Sequence, residues 1–290
     1  MHTRVRRVPF LVVAAGVSAL LAAGCTASGN SPSGNSAAAA KPAAKPQQAL
    51  LLAAHTSQKV NSLDANITVQ ATTTTTGSLT ISGTLAEQIH PSLLAELNVP
   101  TFSAGGQTVA GGLGEIVTSS AFYMRISELT QALHTSKPWV EIPLSSLGTT
   151  GSSLESLFSQ IQSSNPVSQT QLLATSKNAR KVGTGVIDGV PVTEYAGSIT
   201  MSQAIAALPA SVRSTLGSDI SRAGLKSAKF EIWIDGQNLP RKVVIDESGT
   251  SLSETLTMDN ISYNRPVDVK PPAAAQTYVI PASDLGGIGG

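Results

Sequence analysis

The chain has 290 residues, of which 41% are hydrophobic, 13% charged and only 4% aromatic, and its formal net charge is +1. The hydrophobic content is too high and the charge too low for a disordered chain. A nucleic-acid-binding protein normally carries a strongly basic patch, which this charge balance does not favour. The single cysteine excludes a disulfide within one chain. The composition is typical of an exported globular domain.

The chain opens with the features of a secretory signal peptide, which we assign to residues 1–24. Arg4, Arg6 and Arg7 precede an apolar run over residues 8–23, and such signals begin with a positive segment and a short apolar stretch. The run is shorter than the roughly 20 residues that a helix needs to cross a bilayer, although an uncleaved anchor is the alternative. Cleavage would leave 16 basic residues against 18 acidic ones, since three of the 19 basic residues lie in the signal.

The signal ends in a segment that resembles a bacterial lipobox. Ala23 and Gly24 precede Cys25, while Ala22 stands where leucine is most common and Leu21 lies one position further back. The alternative is an ordinary buried cysteine, but no core-forming sequence surrounds Cys25. We therefore expect Cys25 to carry a diacylglyceryl group and a further acyl chain such as palmitate, because two or more chains anchor a protein stably.

A low-complexity linker follows the cysteine. Residues 25–46 are rich in Ser, Gly, Ala and Pro, which cannot build a packed core. A flexible chain of this length has a root-mean-square reach of roughly 25 Å, so it would hold a folded domain close to a membrane. We assign residues 47–282 to a single domain and residues 283–290 to a Gly-rich tail.

The first half of this domain is predicted to be a helix followed by strands. Residues 46–63 are expected to be helical, with Pro46 at the first position. Apolar and polar residues then alternate over 65–72 and 79–85, which predicts a hairpin with one apolar face. Further strands are predicted at 91–99, 115–119, 121–126 and 139–142, a turn-rich region at 103–114 and a helical turn at 127–133.

The second half is predicted to contain helices and further strands. Leu154, Leu157, Phe158 and Ile161 follow the spacing i, i+3, i+4, i+7, which places them on one face of a helix. An Asp-Gly pair between strand-forming residues predicts a tight hairpin turn. Helices are expected at 153–163, 167–174 and 201–223, strands at 180–187, 190–200, 228–235, 241–247 and 252–263, and extended chain at 267–270.

The order of these elements predicts an α+β fold. About ten or eleven strands form two antiparallel groups, and the helices lie between the groups instead of alternating with single strands as in parallel sheets. We therefore expect one large curved antiparallel sheet, an unclosed barrel, with helices covering its concave face. Leu, Ile and Val can fill such a space completely, so periodicity alone permits a ligand cavity without requiring one.

The sequence contains no recognisable catalytic or metal-binding motif. His55, His90 and His134 are not paired with one another or with carboxylates at ligand spacing, and no nucleophile stands beside a base in a known catalytic pattern. Residues 235–238 (Asp-Gly-Gln-Asn) resemble the start of a calcium loop but lie between two strands, which predicts a turn. We expect no enzymatic activity, no metal and no cofactor. A hydrolase is a third functional hypothesis, ranked below the two that are given at the end of this section.

Six further segments, considered together with the lipobox at Cys25, carry a family resemblance through their order and spacing. They are 122–125 (FYMR), 137–142 (KPWVEI), 186–195 (VIDGVPVTEY), 230–235 (FEIWID), 239–242 (LPRK) and 266–272 (PVDVKPP). In these segments the chain resembles the actinobacterial lipoproteins LppX, LprA, LprF and LprG, which are related in fold to the lipoprotein carriers LolA and LolB. The resemblance implies an unclosed antiparallel barrel with a helix-covered hydrophobic pocket for the acyl chains of lipids or glycolipids.

The resemblance limits the site to apolar side chains that point inward. It supplies no polar ligand residues for this sequence, and plain core packing is the alternative role for each position. The expected ligand-binding residues are Ile67, Val69, Leu79, Ile81, Leu85, Phe122, Met124, Leu157, Phe158, Phe230, Ile232 and Ile234.

Two hypotheses of different classes follow. The first is a monomeric exported lipoprotein, anchored on the outer face of the cytoplasmic membrane, that binds lipid or glycolipid and transports it across the cell envelope, with envelope transport proteins as candidate partners. The second is a structural or signalling lipoprotein that binds a protein partner without a lipid ligand. The second predicts a filled core and an exposed apolar patch of several hundred Å².

Overall fold

The computed structural model describes residues 45–74, 77–109, 111–147, 166–207 and 224–281. Cys25, the predicted helix at 153–163 and most of the helix predicted at 201–223 lie outside these residues. The described helices are α1 (Pro46–Ser57), α2 (Ser127–Ala132), α3 (Pro166–Leu173) and α4 (Met201–Ala207). Two short 3₁₀ helices lie at Leu144–Leu147 and Ala274–Gln276.

Thirteen strands form one large sheet. They are β1 (Ser62–Thr73), β2 (Gly77–Gln88), β3 (Leu94–Ala104), β4 (Gln107–Val109), β5 (Leu113–Val117), β6 (Ala121–Arg125), β7 (Trp139–Pro143), β8 (Arg180–Ile187), β9 (Val190–Thr200), β10 (Ser227–Asp235), β11 (Pro240–Ser248), β12 (Leu252–Tyr263) and β13 (Thr277–Val279). Their order is β13-β7-β6-β5-β3-β2-β1-β12-β11-β10-β9-β8, and β4 pairs with β3.

The sheet does not close, because β8 and β13 lie at opposite ends of this order. The predicted large, unclosed, curved sheet with helices is therefore confirmed. All neighbouring strands run antiparallel except β7 and β13, which are parallel and make the sheet mixed. The strand count exceeds the predicted ten or eleven because β4 and β13 have three residues each, too few to display an alternating pattern.

Strands from the two predicted groups meet at the centre of the sheet. Leu63 of β1 lies opposite Tyr263 of β12, and Thr73 lies opposite Leu252. On its other side β1 forms the predicted hairpin with β2, with Thr73 opposite Gly77. The β1–β12 pairing joins the two antiparallel groups into one surface.

One face of this surface, which we call the inner face, is apolar and covered by helices. In β1 the buried side chains Ala65, Ile67 and Val69 alternate with the exposed Asn66 and Gln70, as expected for a strand with one buried face. Helices α1, α3 and α4 contribute buried side chains to the same hydrophobic cluster as these strand residues. The contributions are Ala49, Leu50, Ala53 and Ala54 from α1, Leu172 and Leu173 from α3, and Met201 and Ala204 from α4.

Part of the opposite face is covered by the chain that follows β12. Val267 and the buried Val269 pack against Ile116 of β5 and Tyr123 of β6. Residues 265–273 have no regular secondary structure, in agreement with the extended chain predicted at 267–270. Helices thus protect the inner face, whereas an extended segment protects this half of the other face.

The residues in two tight turns explain why the chain reverses direction there. Asp188 and Gly189 have φ values of 48° and 78°, which confirms the Asp-Gly hairpin between β8 and β9, since both central residues of such a turn need positive φ. The turn between β10 and β11 is held by Asp235, whose Oδ1 accepts hydrogen bonds from the backbone N–H groups of Gln237 (2.8 Å) and Leu239 (2.9 Å). Residues 235–238 therefore form a turn, as predicted.

The first helix is shorter than predicted, because α1 ends at Ser57 and not at residue 63. Val60 and Leu63 are buried, but they pack with Leu239 in a separate small cluster, and β1 already begins at Ser62. Their apolar character therefore serves the sheet and not the helix. Among the described residues, none of the helices combines the length and the apolar character needed to span a membrane.

Candidate functional site

The structure brings seven of the twelve predicted ligand-binding residues into one cluster on the inner face. Six of them are buried and the seventh, Leu79, is partly buried and packs against the others. The buried ones are Ile67, Val69, Ile81, Phe230, Ile232 and Ile234. They come from β1, which belongs to the central β1–β12 pair, and from β2 and β10, which lie on opposite sides of that pair.

Three predicted residues share the inner face but lie outside that main cluster. Leu85 packs against the small cluster of Val60, Leu63 and Leu239. Phe122 and Met124 pack with Ala95, Val117 and Leu144 under the β5–β6–β7 part of the sheet. Leu157 and Phe158 lie outside the described residues.

The centre of the inner face is formed by residues that are not among the predicted ligand-binding positions. Val243 and Ile245 of β11, together with Leu256 and Met258 of β12, are buried between the predicted positions. Val243 lies opposite Met258, and Met258 lies opposite Ile67. Leu256 and Met258 alternate with polar neighbours, which was a visible signal, whereas Val243 and Ile245 flank the apolar Val244. The pairing that places all four residues at the centre was not visible in the sequence.

The main cluster is closely packed around Phe230. This side chain is 2% exposed, and its ring lies so close to Gly197 that a Cβ built there would be 2.6 Å from the ring Cζ. Gly197 therefore leaves the space that the aromatic ring occupies. Any acyl chain between sheet and helices has to compete with side chains that already fill this part of the interior.

Two of the carboxylates on the inner face lie directly opposite each other. Glu247 of β11 pairs with Glu254 of β12, and both side chains are buried, with 5% and 6% exposed. Their row continues into Ala71 on one side and Ala228 on the other. Burial chiefly, and to a lesser extent the negative charge of Glu247, raises the pKa of Glu254 to about 7. The apolar face thus ends in a group that exchanges protons near neutral pH.

A cleft of about 710 Å³ lies near the β8 end of the sheet. It differs from the predicted apolar pocket, because its walls combine polar and apolar residues and include only Ile234 of the predicted set. The lining residues are Thr184, Gly185, Val190, Pro191, Val192, Thr193, Ile234, Asp235, Gly236, Gln237 and Arg241.

An ion pair stabilises the wall of this cleft. Arg241 approaches Asp235 at 2.7 Å, and the side chain of Asp235 is only 2% exposed. The guanidinium group of Arg241 also lies 5.9 Å from the ring centre of Tyr263, whose pKa is raised chiefly by burial. Because Asp235 also bonds the backbone of its turn, these charges hold the β10–β11 connection in place.

The described residues offer no group of three or more His, Cys, Asp or Glu side chains that could hold a metal ion. His55, His90 and His134 are exposed and lie in separate elements. The arrangement that stands out in the described part of the chain is the apolar inner face, which can provide dispersion contacts and exclude water.

Comparison with known proteins gives matches at the level of fold. The structure is similar to that of the Mycobacterium tuberculosis lipoprotein LppX, with 19% identity, 77% of this chain and 97% of that chain covered, and a TM-score of 0.42. It is also similar to LprF from Mycobacterium bovis, with 14% identity, 79% and 97% coverage, and a TM-score of 0.47. These are two of the lipoproteins that the sequence segments resemble, and the similarity concerns the architecture alone.

Two further matches are one solved structure and one relative found by sequence. A LolA superfamily protein from Nitrosomonas europaea has 10% identity, 78% and 96% coverage, and a TM-score of 0.29. An uncharacterised 31.2 kDa Streptomyces griseus protein, described by its position between rplA and rplJ, is 27% identical over 177 residues, 58% of this chain. The chain spans 57% of the length of that relative. No family model matches the chain.

Proposed function

We propose that this chain is an exported lipoprotein, anchored through Cys25 on the outer face of the cytoplasmic membrane, that binds the acyl chains of a lipid or glycolipid and transports it across the cell envelope. The acyl chains lie between the inner face of the sheet and its covering helices. The observation that carries the proposal is the apolar inner face, which continues across β2, β1, β12, β11 and β10.

The small side chains that α1 buries against the sheet support this proposal. The residues that α1 buries are Ala49, Leu50, Ala53, Ala54 and Ser57, and Leu50 is the only large apolar side chain among them. Burial of a leucine contributes about 1.5–3 kcal/mol, whereas alanine contributes much less. A helix held in this way can be displaced by acyl chains, which would replace its contacts with the sheet.

Native mass spectrometry tests the proposal. Protein that lacks residues 1–25, prepared from its native host without detergent, should carry adducts with the masses of acyl lipids. Extraction with organic solvent should release the same lipids. A preparation that is free of adducts would contradict lipid binding.

Substitution on α1 locates the binding surface. Ala53 is fully buried and faces the inner face, whereas Leu51 on the same helix is 53% exposed. We expect Ala53→Trp to reduce the lipid adducts by about tenfold, since its indole would occupy the space under the helix, at a folding cost of about 1–3 kcal/mol. Leu51→Trp is the matched control and should retain the adducts. Circular dichroism checks that both variants are folded, and equal adducts in both would place the lipid elsewhere.

The close packing around Phe230 favours a second candidate function. A structural or signalling lipoprotein with a filled interior would bind a protein partner and need no lipid. Absence of adducts from wild-type protein, together with a partner recovered by cross-linking in the native host, would favour this candidate.

A further inference from the structure

The exposed apolar side chains of the domain are concentrated in one region. Five large hydrophobic residues are prominently exposed in the described part of the chain, and four of them belong to α1 or β8. Leu51 and Leu52 on α1 are 53% and 47% exposed, and Val182 and Val186 on β8 are 50% and 67% exposed. Helix α1 packs against both α3 and β8, so these elements form one contiguous edge, which we call the α1–β8 edge.

The same edge is positively charged. Residues 45–60 and 166–187, which contain α1, α3 and β8, include no Asp or Glu. They carry five exposed cationic residues: Lys45, Lys59, Lys177, Arg180 and Lys181. Nearly a third of the basic residues of the mature chain thus lie here, whereas acidic residues adjoin the edge at Asp188, in the turn after β8, and at Glu194 of β9, opposite Gly183. Two separate segments supply these cations, and the fold brings them together, which explains why the sequence alone showed no basic patch.

The position of the tether connects this edge to the membrane. Lys45 directly precedes α1, and the linker of residues 25–46 joins it to Cys25. Helix α1 is therefore the first described element along the chain from the predicted anchor.

We propose that the α1–β8 edge docks on the surface of an anionic membrane, with Leu51, Leu52, Val182 and Val186 at the boundary of the acyl chains and the five cations among the lipid head groups. Exposed apolar side chains flanked by Lys and Arg are the combination by which proteins lie on a bilayer surface. The inference rests on the proposed lipid anchor. It adds an orientation, in which the helix covering the inner face is itself held at the bilayer.

Site-specific fluorescence tests this orientation on the mature lipidated protein reconstituted in vesicles. Cys25 is the only cysteine, and its lipidated sulfur does not react with thiol labels, so a cysteine introduced by Leu51→Cys or Val186→Cys takes the label alone. Val279→Cys is the matched control, because Val279 is 50% exposed on β13 at the opposite end of the sheet. The label is nitrobenzoxadiazole, which brightens in apolar surroundings.

On vesicles of phosphatidylcholine with roughly one third phosphatidylglycerol, we expect the emission at positions 51 and 186 to rise about twofold or more relative to detergent-solubilised protein. Lipids with nitroxide-labelled chains should quench this emission. The label at position 279 should show neither effect. An equal response at all three positions, or no response from anchored protein, would overturn the docking orientation.

Charge reversal provides the second test. Arg180→Glu combined with Lys181→Glu should abolish the response at position 51 on the anionic vesicles. Lys226→Glu combined with Lys229→Glu makes the same change of charge on exposed residues in and next to β10 and should leave the response intact. Equal effects of the two pairs would contradict recognition by the α1–β8 edge.

Separate measurements distinguish docking of the α1–β8 edge from lipid binding in the interior. Intact mass reports whether Cys25 carries acyl chains, and docking is overturned together with the anchor if it does not. Lipid adducts in the interior are measured independently on protein without residues 1–25. Adducts without docking would leave lipid binding in place and remove only the orientation.

Discussion

Asp235 and Glu254, two of the buried acidic side chains in the described part of the chain, occupy different electrostatic environments. Asp235 is paired with Arg241 at 2.7 Å and accepts two backbone hydrogen bonds, so its charge is compensated. Glu254 instead lies on the apolar inner face opposite Glu247, where burial and a like charge disfavour ionisation. The first arrangement stabilises a turn, whereas the second destabilises the folded domain when Glu254 loses its proton.

Stability should therefore depend on pH through Glu254. Its pKa is raised from the ordinary 4.5 to about 7, so the folded state holds a proton that the unfolded state releases. The stabilisation is fully present below pH 4.5 and is lost as the pH rises through about 7. Glu254→Gln should remove this dependence and stabilise the domain above pH 7 by up to about 3 kcal/mol.

Urea unfolding between pH 4 and pH 8 measures this effect. Glu231→Gln is the control, since Glu231 is exposed on the opposite face of β10, and its profile should run parallel to that of the wild type. A Glu254→Gln profile that also runs parallel to that of the wild type would contradict the attribution of the pH dependence to Glu254.

The ion pair of Asp235 should contribute far more stability than an exposed pair of the same length. We expect Asp235→Ala to lower the free energy of unfolding by about 2–4 kcal/mol, because it leaves a partly buried guanidinium group and two backbone donors without their acceptor. Asp268 and Lys270 also approach to 2.7 Å, but their side chains are 79% and 74% exposed. Asp268→Ala should therefore cost less than about 0.5 kcal/mol. Chemical denaturation measures both variants, and equal losses of unfolding free energy would show that burial does not strengthen the Asp235–Arg241 pair.

Among the elements, α1 is held against the interior by few large apolar contacts. Four of the five residues that it buries are small, and the hydroxyl of Ser57 is buried without a hydrogen-bond partner among the described residues. An unsatisfied buried hydroxyl costs about 1–3 kcal/mol. Local opening of α1, with β1 and β12 still paired beneath it, is the motion that would admit an acyl chain.

Hydrogen exchange tests this motion directly. Amides of α1 should exchange well before those of β1 and β12. Ser57→Ala should slow the exchange of α1 and raise the stability of the domain by about 1 kcal/mol, while the exchange of the strands changes little. Equal protection of α1 and the central strands, or faster exchange in the variant, would show that α1 is not a weakly held cover.

At the scale of the whole molecule, the sequence predicts the faces of the strands better than their neighbours. Alternation identified Ile67, Val69 and Ile232 as inward-facing, because burial on one side repeats every second residue. It did not show that Met258 lies between Ile67 and Val243, since that pairing joins residues far apart in the chain. The five cations of the α1–β8 edge were missed for the same reason.

Photo-cross-linking measures directly whether acyl chains lie against the inner face. A fatty acid with a diazirine near the end of its chain is added to the folded protein, irradiated, and the modified residues are mapped by mass spectrometry. We predict modification of inner-face residues such as Ile232, Val243 and Met258. Unlabelled fatty acid should compete with this modification, and Ala53→Trp should abolish it. Modification of the outward-facing neighbours Glu231 and Val244, or of Thr184 in the cleft, without modification of the inner face would contradict this prediction.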